Sequence, residues 1–338
     1  MKIKKIFSLL LFISVFSTLS FAQNNFKIRI GSVIPPDSPW EEGINDYIKK
    51  VESKAGGQIT FKKYLGGQLG GEVEMIKSIA MGSLEAGAFS TAAIAEALGI
   101  PELETLELPF LFESDQEADY VMDNLFETIS KYFEDKGVVL IMWGTNGWRS
   151  FGTKNKAITS PGDLKGLKMR SQESDVYINF YKAMGATAVP MATPDVLMAL
   201  KTGMVDGYDQ TPVFSLSTGW INTVKYYTVT KHIYQPGAVI VSKKFFDKLP
   251  DNLKEALLIK SDRAALQAKS RNAVRTEDAA VLSSFPDLGI TVTNLTKAQR
   301  DEFKKASEPV YKALEKKVGS HIIKLVRDKI KEFKEGKK

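Results

Sequence analysis

Apolar and polar positions along this chain follow two periods, and the switches between them predict its elements. Phe26 to Val33 (FKIRIGSV) alternates with a period of two and carries β-branched side chains, the pattern of a half-buried strand. From Trp40 to about Ala55 the period becomes helical. Ile44, Tyr47, Ile48 and Val51 share one face, and Asp37 or Ser38 stands where a cap is needed. Gly56-Gly57 ends that helix, and Gln58 to Tyr64 is the second strand. After the turn Gly66 to Gly71 come a helix from Glu72 to Met81 and a short buried strand from Leu84 to Phe89. Strand, helix, strand, helix, strand in sequence predicts a parallel sheet covered on both faces.

The pattern then repeats. Leu106 to Phe112 (LELPFLF) precedes an acidic helix from Ser114 to about Lys136, and Gly137 to Gly144 is a continuous apolar run fit for a central strand. A second series follows: Leu167 to Met169 extended, a helix from about Glu173 to Met184, Ala188 to Pro190 extended, a helix from Pro194 to Thr202, and Met204 to Gly207 extended. Two such series predict two lobes, each a mixed sheet flanked by helices. Long strands around Val224 to Phe246 are placed to cross between them. The helical run from Asp251 to about Ser284 would span on the order of 50 Å if unbroken, enough to brace both lobes. The tail from Ile322 to Lys338 reads as a helix with Ile322, Ile323, Val326, Ile330 and Phe333 on its packed face.

Composition narrows the classes. The chain has 338 residues, 43% hydrophobic and 25% charged, an ordinary globular balance long enough for two domains. Residues 1–22 read as an export leader. Lys2, Lys4 and Lys5 precede an apolar run from Ile6 to Leu19, and Ser20-Phe21-Ala22 offers small residues before a cut, with the mature chain starting near Gln23. That run falls short of the roughly 20 residues that span a bilayer. The formal charge is +6, but three of its lysines lie in the leader and the C-terminal helix is strongly basic, so the body is close to neutral and offers no field for nucleic acid. There is no cysteine, which excludes thiol catalysis, thiolate metal sites and disulfide stabilisation.

Candidate chemistry concentrates between Asn146 and Pro212. Arg149 in NGWRSFGTKN and Arg170 in LKGLKMRSQES are each placed to offer a planar fork to a carboxylate. Competing readings are an ion pair of Arg170 with Glu173 or Asp175, and stacking of Arg149 on Trp148. Trp40 follows a loop at the carboxyl end of a strand, where ligands bind in open α/β sheets, and Phe89 is a second apolar wall candidate. Trp143 lies inside a central strand and reads as core. Ser90 and Thr91 precede a helix, so each can cap it or bond a ligand. The glycine-rich turn Gly66 to Gly71 lacks the lysine and spacing of a phosphate loop. The two histidines, His232 and His321, have no partner pattern for a triad or a metal site, so no catalysis, cofactor or metal is expected.

Six stretches in order then resemble one family: SVIPPDSPWEEG, VESKAGGQITFKKYLGGQLGGEVEMIKSIAMGSLEAG, LPFLF, GLKMR, ALKTGMVDG and GAVIVSKKFFDKLP. The chain resembles the DctP-type solute-binding proteins of tripartite ATP-independent periplasmic (TRAP) transporters, over nearly all of its length beyond the leader. The resemblance implies a two-lobed α/β periplasmic binding protein that closes on an organic acid and delivers it to membrane permease subunits from the periplasm. Lobe I would comprise residues 23–148 with about 236–275 returning to it, and lobe II residues 149–235 with about 276–338 packing on it and across both. In the family the arginine of the GLKMR position holds the ligand carboxylate, here Arg170. A second arginine about twenty residues earlier assists, matched by Arg149, and an amide after VDG completes the clamp, matched by Gln210. Where the family commonly reads DGQENP this chain has DGYDQTP, which places Tyr208 and Asp209 as candidates for either the cleft or a turn. That departure keeps open a larger apolar or lipid-like acid handled with a periplasmic helical-repeat partner, and a ligand sensor feeding a receptor is a second alternative.

Overall fold

The computed structural model describes residues 25–336; the leader expected over residues 1–22 lies outside them. The first α/β series forms as its periodicity predicts: β1 (Phe26–Gly31), α1 (Pro39–Lys54), β2 (Ile59–Tyr64), α2 (Glu72–Met81), β3 (Ala86–Ser90) and α3 (Thr91–Leu98). Ser38 is the cap of α1, its side chain accepting from the Glu41 N–H, and Trp40, Ile44, Tyr47 and Val51 are buried. β1 runs parallel to β2 on one side and to β3 on the other.

The expected acidic helix is two helices, α4 (Asp115–Asn124) and α5 (Phe126–Glu134). Leu125 turns the chain between them with φ −100° and ψ 4°, and its side chain is buried. A larger departure follows. β4 runs from Val138 to Thr153 instead of ending at Gly144. Its glycines and Asn146 are poor strand formers, but β8 (Tyr226–Ser242) pairs antiparallel along nearly its whole length, with register shifts after Leu140, Thr145 and Arg149. Long-range pairing overrides local propensity here, and the bulges absorb the misfit.

Between those strands lie β5 (Lys168–Ser171), α6 (Asp175–Ala183), β6 (Thr187–Pro190), α7 (Val196–Thr202), β7 (Gly207–Gln210) and α8 (Pro212–Ser217). Tyr208 and Asp209, placed from the sequence in either the cleft or a turn, thus lie in a strand. Gly207 is required in it, because a Cβ there would stand 2.4 Å from the Gly152 carbonyl oxygen on β4. After β8 come α9 (Lys243–Phe246), α10 (Asp251–Leu258), α11 (Arg263–Ser284), β9 (Thr291–Asn294), α12 (Lys297–Ala306), α13 (Glu308–Val318) and α14 (Ser320–Gly336). The single long helix expected from Asp251 is broken at Ile259, whose φ is +42°.

All nine strands of the described residues join one sheet, in the order β2-β1-β3-β8-β4-β7-β5-β6 with β9 on β8. β4 and β8 thus connect a first half, β2-β1-β3, to a second half, β7-β5-β6. α11 packs on α1, on β4 and on α8, so it braces both halves. Arg271 and Arg275 fasten it to α4 through paired bonds of 2.7–3.0 Å to Asp123 and Asp119. α14 buries Ile322, Ile323 and Val326 and packs on α4. No described helix is long and apolar enough to cross a membrane.

Asp278 of α11 ties the brace to the second half. Its Oδ1 accepts from the Val213 N–H at 2.9 Å, in the first turn of α8. Loss of water around the carboxyl, with Asp115 and Glu277 adding like charge and Lys231 opposing, pushes its pKa up to about 7. In the unfolded chain the group titrates near ~3.9. Between roughly pH 4 and 7 the folded state holds the extra proton, so this contribution to stability is fully present below pH 4 and is lost as pH rises through 7. Asp278→Asn keeps the acceptor and removes the charge. Urea unfolding at pH 5 and pH 8 is expected to show the variant gaining on the wild type at pH 8; an identical difference at both pH values contradicts the assignment.

Candidate functional site

A cavity of about 90 Å³ lies between the two halves, floored by β3, β4 and β8. Trp40 reaches it from α1 and Phe214 from α8, their rings 5.7 Å apart edge to face. The indole is fixed by its Nε1–H, which donates to the Thr145 carbonyl at 2.8 Å. Phe89 and Ser90 also line the space, and Ser90 caps α3 as well.

Arg170, near the end of β5, is 2% exposed and lines the cavity. Its Nη2 donates to the Met191 carbonyl at 3.0 Å, its guanidinium lies 5.3 Å from the Trp220 ring centre, and its Nε is buried without an acceptor. The ion pairs considered from the sequence do not form: Asp175 pairs instead with Lys317 at 2.8 Å, and no described carboxylate pairs with Arg170. Burial, then the nearby Arg149 charge, push its pKa down to about 10, so it stays cationic at neutral pH.

Arg149 is placed differently from the expected second ligand contact. It does not line the cavity, because every nitrogen of its guanidinium is used inside the protein. Nε donates to Asp209 Oδ2 at 2.6 Å and Nη2 to the Asp209 carbonyl at 2.5 Å. Nη1 faces the Oε1 atoms of Gln235, Gln210 and Gln172 at 2.8, 3.2 and 3.4 Å. The ring beneath it is Tyr177, at 4.9 Å, and Trp148 packs on Tyr234 instead. Asp209 also accepts from the Tyr181 hydroxyl at 2.6 Å and lies 3.4 Å from His232 Nε2. Burial alone would raise the Asp209 pKa, but the Arg149 guanidinium outweighs it and holds the carboxyl well below the usual range. Burial pushes the His232 pKa down, and its ring stacks against Phe151 and Phe180.

Three other candidates stand behind the wall. Tyr208 and Asp209 are fully buried on β7, Tyr208 against Trp220, and neither lines the cavity. Thr91 is buried too, its hydroxyl donating to Glu107 at 2.5 Å. Gln210 does line it. Its Oε1 accepts from Arg149, from Asn146 Nδ2 at 3.1 Å and from the Thr211 N–H at 2.8 Å, which leaves Nε2 as the free end of the amide.

The wall also contains groups not singled out from the sequence: Glu72, Asn146, Gln172 and Gln235. Gln172 follows Arg170 by two residues, a spacing that puts both on one side of an extended chain and was readable. Its Nε2 donates to Ser90 Oγ at 2.6 Å and Glu72 Oε2 at 3.3 Å, tying the second half to the first. Glu72 accepts from the Ser90 N–H at 2.8 Å; burial raises its pKa against the pull of Ser90 and the two arginines. Asn146 and Gln235 meet at 2.5 Å across the β4–β8 bulge, a register no local pattern shows. The cavity wall thus carries one cation, Arg170, and one carboxylate, Glu72, among amides. Such a set can hold a small anion. Among the described residues no group of three or more His, Asp or Glu side chains is placed to hold a metal ion.

Asp209→Asn would leave Arg149 buried beside a neutral amide. Breaking one partner of a buried pair costs about 3–5 kcal/mol, so chemical denaturation is expected to show a loss of that size. A loss below about 1 kcal/mol would remove the pair from its central place.

Comparison with known proteins identifies the family and the fold. Residues 30–317 match the family described as bacterial extracellular solute-binding protein, family 7 (DctP). A solute-binding protein of Verminephrobacter eiseniae is 32% identical over 309 residues, covering 90% of this chain and 89% of the relative. The sugar acid binding protein of Advenella mimigardefordensis, solved with galactonate, superposes with a TM-score of 0.86 at 27% identity, covering 91% of this chain and 99% of that one. A TRAP periplasmic solute-binding protein of Ralstonia eutropha, solved with bound acetolactate, gives 0.84 at 25% identity, covering 90% and 99%. The fold is the two-lobed α/β form of these structures, and the family is one of transport binding proteins rather than enzymes. The chain belongs to the DctP family of extracytoplasmic solute-binding proteins.

Proposed function

We propose that this protein captures a small organic acid between its two halves, with Arg170 as the carboxylate anchor, and hands it to TRAP membrane permease subunits. One observation carries the reading: a buried guanidinium lines the cavity with its Nε unbonded and no carboxylate paired with it. A buried charge without a partner is costly, and a ligand carboxylate supplies the missing acceptors bidentately. Gln210 offers its free amide nitrogen, Trp40, Phe89 and Ser90 shape the space, and Arg149 holds the amides in place without touching the ligand. The acids named for the relatives, galactonate and acetolactate, both present a carboxylate.

In this reading residues 1–22 direct export and the protein works in the periplasm. Lobe I is residues 23–148 with about 236–275, and lobe II is residues 149–235 with about 276–338. The divisions then fall inside β4 and β8, beside the bulge at Thr145 to Gly147, where Gly147 has φ +102°. A pair of strands interrupted there can bend without losing its ladder.

Two outcomes test the anchor. A saturating carboxylate ligand is expected to raise the thermal midpoint of the wild type, since it binds only the folded state. By titration calorimetry, Arg170→Ala is expected to weaken that ligand by about 2 kcal/mol or more, roughly thirtyfold. Unchanged affinity would refute the assignment.

A further inference from the structure

The cavity floor is ordered in rows. Antiparallel register places Ala88 of β3 opposite Val239 of β8, and Val239 opposite Met142 of β4. The next row along the same face is Ser90, Gly237 and Gly144, by the same pairings. Beyond it stand the amides Gln235 and Asn146, on the side where Gln172 bonds to Gln235 at 2.8 Å and follows Arg170 by two residues. The floor therefore grades from apolar, through a row with almost no side chains, to amide and guanidinium. Ile44 and Ile34 pack with the apolar row, Val33 also lines the space, and Gly43 of α1 lies against Ser270 of α11. Ala88 and Ile34 are only half-buried although both sit deep in the fold, because they face the open space.

We infer that the ligand is a small monocarboxylate with a compact aliphatic tail, its carboxylate on Arg170 and its tail on the Ala88–Val239–Met142 row. This rests on Arg170 being the anchor. A second carboxylate at the far end would meet apolar side chains and no cation, since Arg170 is the one cation of the wall. A chain of hydroxyls would likewise meet no polar side chain within that row, and unpaired hydroxyls lose far more than apolar groups gain. Each methylene moved onto the row is expected to tighten binding about fourfold. Ala88, Val239 and Met142 are then specificity-determining residues for tail length and branching.

Titration calorimetry of the purified protein with propanoate, isovalerate, isocaproate, succinate and galactonate tests this. The expected order places isocaproate about tenfold or more tighter than propanoate, and tighter than succinate or galactonate. Ala88→Leu, which fills the space over the row, and the near-isosteric Val239→Thr are each expected to shrink the isocaproate to propanoate ratio. Arg170→Ala is expected to weaken both acids alike. Should Ala88→Leu fail to fold, Val239→Thr alone decides. Tighter binding of galactonate or succinate, still lost in Arg170→Ala, overturns the tail and leaves the anchor standing. Isocaproate binding that Arg170→Ala does not weaken overturns the anchor, and no binding by any acid overturns both.

Discussion

The buried pair of Arg149 with Asp209 sets what every polar group around the cleft can do. Removing both ions from water carries a penalty of several kcal/mol each, which mutual attraction offsets only when the remaining hydrogen-bond positions are filled. Here they are: three carbonyl-type oxygens of Gln172, Gln210 and Gln235 converge on one nitrogen of Arg149, while Tyr181 completes Asp209. With their oxygens turned to Arg149, the three amide nitrogens must point away. One bonds Ser90, one bonds Glu107 and Tyr177, and that of Gln210 is left for the cavity. Amide orientation, which electron density alone seldom decides, is set by chemistry in this network.

That pair depends in turn on the two long strands. Asp209 stands opposite Phe151 in the β4–β7 ladder, and Arg149 is two residues away on β4, so the ion pair is a product of register. β4 and β8 carry the same register on into the first half, where it lays out the rows of the cavity floor. The bulge between them places Asn146 in the wall, and the brace helix α11 fixes how far the halves can separate without repacking α1 and α8. Gln172 closes the circuit by bonding Ser90 and Glu72 across the opening.

Most elements of this fold were legible because their apolar periods are local. α2 begins and ends where the sequence places it, and α1 carries its expected cap and buried face. What local pattern could not show was pairing. Asn146, Gly147 and Gly152 are poor strand formers, yet β4 continues through them along a seventeen-residue partner strand, with Asn146 at a bulge. The same limit applied to the two arginines. Their sequence surroundings are alike, and only the neighbouring strand decides that Asp209 neutralises Arg149 while no described carboxylate pairs with Arg170. Tyr208 and Asp209 faced the same ambiguity: a four-residue strand alternates its faces, but at both positions the face is covered, and only Gln210 at the end of β7 reaches the cavity.

In the proposed reading, a buried guanidinium on the cavity wall has a consequence for motion. Burial disfavours the charged form of Arg170, and separating the halves around it would return it to water. Gln172, with its bonds to Ser90 and Glu72, pulls the other way. The two effects oppose each other at nearly the same place, which is the condition for a small free-energy gap between open and shut. A carboxylate that satisfies Arg170 only when the cleft is shut then has the differential affinity needed to shift that balance. In the proposed reading, an acid that reached Arg170 equally well with the halves apart would bind and shift nothing, so the placement of Arg170 in one half and the apolar row in the other is what would join capture to closure.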